Sequence, residues 1–158
     1  NRSNYFSRRI IKKLFKMRYL GIDLGSKTVG LAISDTTLTI ASSLKTIFFK
    51  DEDYLSTIDE IKNIIKEYDI QKIILGLPKN MNNTLGERAE ITTKYKRILE
   101  ENTNIPVIFF DERLTSVISN SILIEAKKKK KKRKKKVDSI AAQIILQDYL
   151  NKEKNEHE

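Results

Sequence analysis

The chain has 158 residues, 39% of them hydrophobic and 33% charged, which is typical of a single globular domain with a strongly polar surface. The absence of cysteine excludes disulfides, thiolate zinc sites and a cysteine nucleophile. No apolar run approaches the roughly 20 residues that a membrane helix needs, so we expect a soluble, cytoplasmic protein.

The net charge of +10 is concentrated in two segments. Residues 127–136 are nine Lys and one Arg, and six further bases lie within residues 1–16. The rest of the chain therefore carries a net charge of −6. A mildly acidic body with two basic segments suits a protein that holds nucleic acid through mobile basic segments. Compositional drift toward lysine is the alternative explanation of the run.

Residues 1–16 contain no acidic residue, and Met17 stands directly before the first predicted strand. We interpret these residues as a basic N-terminal extension outside the fold. A transit segment, which would direct the protein to an organelle, and part of a cleaved precursor are the alternatives.

Residues 18–35 predict two strands joined by a glycine turn, because the apolar runs 19–22 and 29–33 are bounded by Gly, Ser and Thr. Asp23 closes the first of these strands. An ionised carboxylate at the end of a buried strand is costly unless something pairs with it. A metal ion, a phosphate-binding loop or a hydrogen bond to the turn at 25–27 would each do so.

The later elements alternate between strand and helix. We predict strands at 38–49, 70–75 and 105–110, and helices at 54–68, 84–99, 117–124 and 138–150. Three antiparallel strands that continue into right-handed strand–helix–strand crossovers give an α/β, ribonuclease H-like domain, with a mixed five-stranded sheet and helices on both faces. We assign this domain to residues 17–150, with 127–136 as a Lys-rich mobile loop and 151–158 as a polar tail.

Three acidic residues lie at the ends of predicted elements: Asp23, Glu112 and Asp138. Carboxylates that converge at one sheet edge repel one another unless a cation lies between them, and hard oxygen ligands select Mg²⁺ or Mn²⁺. Two such ions can activate water and stabilise the leaving oxygen in phosphodiester hydrolysis.

Each of these carboxylates also has an ordinary structural interpretation. Asp138, followed by Ser139, is a good helix N-cap, and Glu112 could pair with a surface base such as Arg113. Asp35 is more easily explained as a turn residue than as a fourth carboxylate of the metal site. We assign no role to the lone histidine, His157.

Four stretches resemble the YqgF/RuvX family in the right order along the chain. They are Gly21-Ile-Asp-Leu-Gly25 with Val29-Gly-Leu-Ala-Ile-Ser-Asp35, Ile74-Leu-Gly-Leu-Pro78 with Asn80-Met81, Asp111-Glu-Arg-Leu-Thr115, and Val137-Asp-Ser-Ile-Ala-Ala142 with Leu146-Gln-Asp-Tyr-Leu150. The family is described as Holliday junction resolvases and as nucleases that mature the end of pre-16S ribosomal RNA. The resemblance implies a ribonuclease H-like fold, Mg²⁺ or Mn²⁺, and an acidic catalytic triad at Asp23, Glu112 and Asp138.

Family positions also suggest nucleic-acid contacts. We expect Arg113 to hold a phosphate through two parallel hydrogen bonds, and Lys27 and Thr28 to reach a phosphate from the first turn. Lys134, Lys135 and Lys136 represent the basic segment that precedes the last acidic residue, and should bind the backbone without sequence preference. Asn82-Asn83-Thr84 departs from the usual Asp and Gly of the family loop, so the resemblance leaves open either the handling of the substrate or the conformation of this loop.

These observations favour a Mg²⁺- or Mn²⁺-dependent nuclease acting on structured nucleic acid, with precursor ribosomal RNA preferred over DNA junctions. A junction resolvase would need two active sites and hence a homodimer, whereas an RNA processor could act as a monomer. A non-catalytic nucleic-acid-binding module is the rival from another class. An actin-like ATPase or sugar kinase resembles the first motif, but it needs two such domains, for which 158 residues are too few.

Overall fold

The structure is a computed structural model that describes residues 17–78, 86–112, 121–122, 124–125 and 137–156. Its strands are β1 (Arg18–Leu24), β2 (Thr28–Ser34), β3 (Ala41–Phe48), β4 (Ile70–Leu77) and β5 (Val107–Asp111). Its longer helices are α1 (Ile58–Tyr68), which follows a 3₁₀ turn at Tyr54–Thr57, α2 (Glu87–Thr103) and α3 (Val137–Glu156). Within these ranges, no helix is long and apolar enough to cross a membrane.

The five strands form one mixed sheet in the order β3-β2-β1-β4-β5. β1 pairs antiparallel with β2, and β2 pairs antiparallel with β3. β4 joins β1 in parallel, and β5 joins β4 in parallel. This strand order confirms the predicted mixed five-stranded sheet. Each parallel pair is connected through a helix, as parallel pairs require.

The sheet buries both faces, which explains why its central strands are almost continuously apolar. Leu20, Ile22 and Leu24 of β1 pack in one core with buried side chains of α1 and α2. On the opposite face, Ala142, Ile145 and Leu146 of α3 pack with apolar residues of β2, β4 and β5. Helices therefore cover both faces, as the sequence predicts.

Helix α3 is longer than predicted, since it continues through Glu156 instead of ending near Leu150. Tyr19 donates a hydrogen bond to Glu153 at 2.9 Å, and Lys72 donates one to the other carboxylate oxygen at 3.2 Å. These contacts hold the last turns of α3 on the sheet, so most of the segment predicted as a polar tail is helical.

Candidate active site

The parallel strands bring two of the predicted acidic residues to one edge of the sheet. Asp23 is the penultimate residue of β1, and Glu112 directly follows β5. Because β1, β4 and β5 run in parallel, their carboxyl ends meet at the same edge, where α/β sheets commonly bind ligands.

Asp23 and Glu112 also approach the same face of the sheet, the one that α3 covers. Side chains alternate along β1, and Leu24 lies in the core formed with α1 and α2, so Asp23 points to the other side. Glu112 Oε1 lies 3.3 Å from the position that a Cβ on Gly76 would occupy, and Ile145 of α3 lies beside the same position. Gly76 thus gives the Glu112 carboxylate room to lie against β4.

Asp138 is the second residue of α3, which begins at this end of the sheet. Gly21 fits closely under α3, with the Ala142 carbonyl oxygen 3.0 Å from where a Gly21 Cβ would be. Asp23 lies two residues, about 7 Å, beyond Gly21 along β1, and Asp138 lies four residues, about 6 Å, before Ala142 along α3. Since α3 runs antiparallel to β1, these rises bring the Asp138 backbone to about the level of Asp23.

A pocket of about 350 Å³ opens at this edge. Among the described residues, its lining consists of Asp23, Leu24, Gly25, Ser26, Pro78, Arg88 and Glu112. Asp23 is only 4% exposed, and within the described part of the chain its carboxylate makes no hydrogen bond or ion pair. Such a group is costly as an anion without a partner, so the pocket fits a cation held by carboxylate oxygens.

The described residues contain no group of three His, Cys, Asp or Glu side chains arranged to hold a metal ion. The side chain of Asp138 lies outside the described part of the structure, which therefore contains the side chains of only two members of the predicted triad. The structure brings Asp23 and Glu112 into one pocket, and the membership of Asp138 stays a prediction.

Arg88 lines the pocket, although the sequence analysis did not identify it. It is the second residue of α2, and its Nη2 donates a hydrogen bond to the Leu24 carbonyl oxygen at 2.8 Å. The available sequence signal was its position, because the first turn of a helix ordinarily favours acidic side chains over basic ones. The basic side chain is stabilised at this position because its guanidinium donates to the backbone carbonyl at the end of β1.

Lys27 and Thr28 do not line this pocket. The ammonium of Lys27 is exposed and lies 4.0 Å from a carboxylate oxygen of Asp51. Thr28 is buried at the start of β2, and within the described residues its Oγ1 has no hydrogen-bond partner. Their contact with a phosphate stays a prediction, as does that of Arg113, Lys134, Lys135 and Lys136, which lie outside the described residues together with Asn82 and Asn83.

Asp35 belongs to a turn and not to this pocket. Its Oδ1 accepts hydrogen bonds from the backbone N–H groups of Thr39 at 2.7 Å and Ile40 at 2.9 Å, and its Oδ2 accepts one from the Thr37 hydroxyl. Burial raises the pKa of Asp35, but these hydrogen bonds outweigh burial and hold the pKa below its ordinary value. The interpretation of Asp35 as a turn residue is therefore confirmed.

Comparison with known proteins identifies the family. The family model described as RuvX, Holliday junction resolvase, matches residues 17–152. The chain belongs to the RuvX family. The resemblance seen in the four sequence stretches is thereby confirmed.

RuvX relatives match over nearly their whole length. A protein of Listeria monocytogenes serotype 4b is 45% identical over 135 residues, covering 85% of this chain and 98% of the relative. One of Thermoanaerobacter pseudethanolicus is 46% identical over 140 residues, covering 88% and 99%. Both are named provisionally as pre-16S rRNA nucleases.

Solved structures that resemble this RuvX chain share the fold at low sequence identity. Thermus thermophilus RuvC superposes with a TM-score of 0.57 at 10% identity, covering 87% of this chain and 97% of RuvC. The fowlpox virus Holliday junction resolvase gives 0.51 at 16% identity, covering 86% and 99%. RuvC-like resolvases have the ribonuclease H-like fold, so the predicted fold class is confirmed.

Proposed function

We propose that this RuvX protein is a divalent-metal-dependent nuclease that hydrolyses phosphodiester bonds in structured nucleic acid, with the end of pre-16S ribosomal RNA as its substrate. The observation that carries the proposal is the buried Asp23 carboxylate, which shares a pocket with Glu112 at the carboxyl edge of the sheet. The names of the curated relatives support the choice of RNA.

Asp23, Glu112 and Asp138 are the residues that would hold Mg²⁺ or Mn²⁺. All three supply carboxylate oxygens, the donor set that hard divalent cations prefer. Two such ions, when bound, lower the pKa of water and stabilise the charge on the leaving oxygen of a phosphodiester.

The chain's own residues orient this chemistry. Burial between β2 and β4 fixes Asp23 in one direction, and the open space beside Gly76 allows Glu112 to lie against the sheet. Pro78 and Ser26 help to line the pocket into which the substrate strand would enter. The Lys-rich segment at 127–136 and Arg113 would attract the phosphate backbone.

Resolution of Holliday junctions is the second candidate, because the matching family model carries that description. A resolvase cuts two strands and so requires two copies of the pocket, which makes a homodimer necessary. An RNA processor has no such requirement and could act as a monomer.

Cleavage of two labelled substrates tests the proposal. A precursor 16S rRNA end and a four-way DNA junction are incubated with Mn²⁺ or with EDTA, using the wild type and Asp23→Asn. We expect Mn²⁺-dependent cutting of the RNA, and a loss of at least about a hundredfold in Asp23→Asn, because the variant weakens an anionic ligand without removing its bulk.

Asp51→Asn is the matched control, because it makes the same chemical change at an exposed carboxylate outside the pocket. It should cut RNA at the wild-type rate. Symmetric cutting of the junction in preference to RNA would instead favour the resolvase. If wild type and Asp23→Asn bind both substrates equally and neither substrate is cut, the nuclease proposal is refuted in favour of a non-catalytic binding module.

A further inference from the structure

Arg88 reaches the pocket from the layer opposite α3. Helix α2 packs with β1 on the face where Leu24 is buried, whereas Asp23 and Glu112 lie on the α3 side. The guanidinium therefore crosses the carboxyl edge of the sheet to line the same pocket as the two carboxylates.

A hydrogen bond holds the Arg88 side chain in place without neutralising it. Nη2 donates to the Leu24 carbonyl oxygen at 2.8 Å, which uses one of the five N–H donors of a guanidinium. Within the described residues, Arg88 forms no ion pair, although Asp23 and Glu112 line the same pocket. Toward the described residues, a guanidinium oriented in this way keeps several donors and its positive charge for another group.

The chemistry of that group follows from the pocket. A planar guanidinium donates two parallel hydrogen bonds to a carboxylate or to the non-bridging oxygens of a phosphate. Both of these groups are anions, and the phosphodiester is the one that the proposed nuclease brings to this edge. An Arg side chain that lines the same pocket as the carboxylates would attract one end of that phosphate group.

We propose that Arg88 binds a non-bridging oxygen of a phosphate in the substrate strand, and thereby sets the position of that strand against Asp23 and Glu112. This inference rests on the proposed function for the identity of the strand. It makes Arg88 a substrate-binding residue, distinct from the acidic residues that would hold metal.

Binding measurements in the Asp23→Asn background test the proposal without requiring cleavage. The probe is a labelled RNA stem with a single-stranded extension, titrated at several salt concentrations. Adding Arg88→Gln should weaken binding about tenfold and reduce the slope of log K against log salt by about 0.7 to 0.9, the value of one lost phosphate contact. Arg88→Lys, which keeps the charge but not the planar fork, should fall between the two.

Arg97→Gln is the matched control. It makes the same substitution on the same helix at an exposed position nine residues, or about 13 Å, further along the axis. It should leave affinity within about twofold and the salt slope unchanged. An equal effect of Arg97→Gln would reduce the role of Arg88 to general charge and overturn the proposal.

Methylphosphonate substitution separates a phosphate contact from a structural defect. Each probe carries one neutral methylphosphonate in place of a phosphate along the strand. The protein with Arg88 should lose affinity at the contacted position, while Arg88→Gln should be insensitive at that position alone. A uniform loss at every position, or unchanged affinity in Arg88→Gln, would contradict the proposal. A wild type that cuts nothing yet shows the position-specific effect would refute the nuclease and retain the phosphate contact.

Discussion

Gly76 is the residue whose lack of a side chain most directly shapes the pocket. A Cβ at this position would meet Ile145 Cδ1 at 2.5 Å and Glu112 Oε1 at 3.3 Å. The first atom is the flexible end of a side chain, but the second is a carboxylate oxygen that lines the pocket. A methyl group here would therefore displace Ile145 in the core and also press on the Glu112 carboxylate.

We expect Gly76→Ala to lower the cleavage rate at least about tenfold, while reducing the free energy of unfolding by only about 1 kcal/mol, at the low end for overpacking. Gly21→Ala provides the contrast, because its Cβ would meet Leu146 Cβ at 2.8 Å and a backbone oxygen at 3.0 Å. Urea denaturation should show the larger loss of stability for Gly21→Ala. An unchanged cleavage rate in a folded Gly76→Ala would show that Glu112 does not depend on this space.

At the scale of single residues, sequence reasoning could find Asp23 and Glu112 because each ends a strand. Strand order then fixes their common edge, whatever the details of packing. Sequence reasoning could not find Arg88, because the role of Arg88 depends on how α2 is placed relative to the end of β1. That placement is set by packing between elements remote in sequence. Lys27 illustrates the converse, since its place in the first turn did not bring it to the pocket.

Among the elements, α3 is fastened at the end of the sheet opposite the pocket. Lys72 donates hydrogen bonds to the Tyr149 hydroxyl at 3.1 Å and to Glu153 at 3.2 Å, and its ammonium lies 4.7 Å from the centre of the Tyr19 ring. Tyr19 and Tyr149 each donate a hydrogen bond to Glu153 at 2.9 Å. Because Asp138 is at the other end of the same helix, this cluster helps to fix the position of its backbone.

The cluster predicts an acid-sensitive contribution to stability. Burial raises the pKa of Glu153. Hydrogen bonds from Tyr19, Tyr149 and Lys72 lower the pKa by more than burial raises it, so the pKa lies below its ordinary value of 4.5. A depressed folded pKa stabilises the fold above the ordinary value, and this contribution is lost as the pH falls through the folded pKa.

Glu153→Gln should therefore cost about 1 to 2 kcal/mol of unfolding free energy at pH 7, and the difference from wild type should shrink as the pH falls below about 4.5. Denaturant titrations at several pH values measure it. Glu156→Gln, an exposed position on the same helix, is the control and should match wild type throughout. A difference that stays constant down to pH 3 would show that the Glu153 charge does not act in this way.

The ends of the elements were harder to predict than their order. Two of the three partners of Glu153, Tyr19 and Lys72, lie 134 and 81 positions earlier in the chain, so the contacts that hold α3 on the sheet past Leu150 are not visible in the local sequence. The helix expected after Asp53 likewise begins as a 3₁₀ turn, and Asp53 makes no side-chain capping hydrogen bond. Tertiary contacts account for the end of α3.

For the whole molecule, the sheet topology followed from the alternation of apolar runs and amphipathic segments, since few connections satisfy the handedness rules. Charge is the other property at this scale. The net charge of +10 contains a ten-residue basic run beside the predicted metal ligand Asp138. Its contribution to binding should be electrostatic and independent of sequence.

Replacing Lys134, Lys135 and Lys136 together with Gln should reduce the slope of log K against log salt by up to about 2 units, and weaken RNAs of unrelated sequence equally. Fluorescence anisotropy at several salt concentrations measures both effects. Gln at the exposed Lys50, Lys62 and Lys66 is a charge-matched control and should leave the slope near that of wild type. Equal slopes in all three proteins would make the basic run irrelevant to binding.

Mn²⁺ titration by calorimetry tests the shared carboxylate site most directly. Wild type is compared with Asp23→Asn, Glu112→Gln and Asp138→Asn, with Asp51→Asn as the exposed control. If the three carboxylates hold metal together, each of the first three variants should weaken Mn²⁺ binding at least about tenfold, and the control should bind as wild type does. Unaltered Mn²⁺ binding in Asp138→Asn would remove the third ligand, and unaltered binding in all three would contradict the metal site itself.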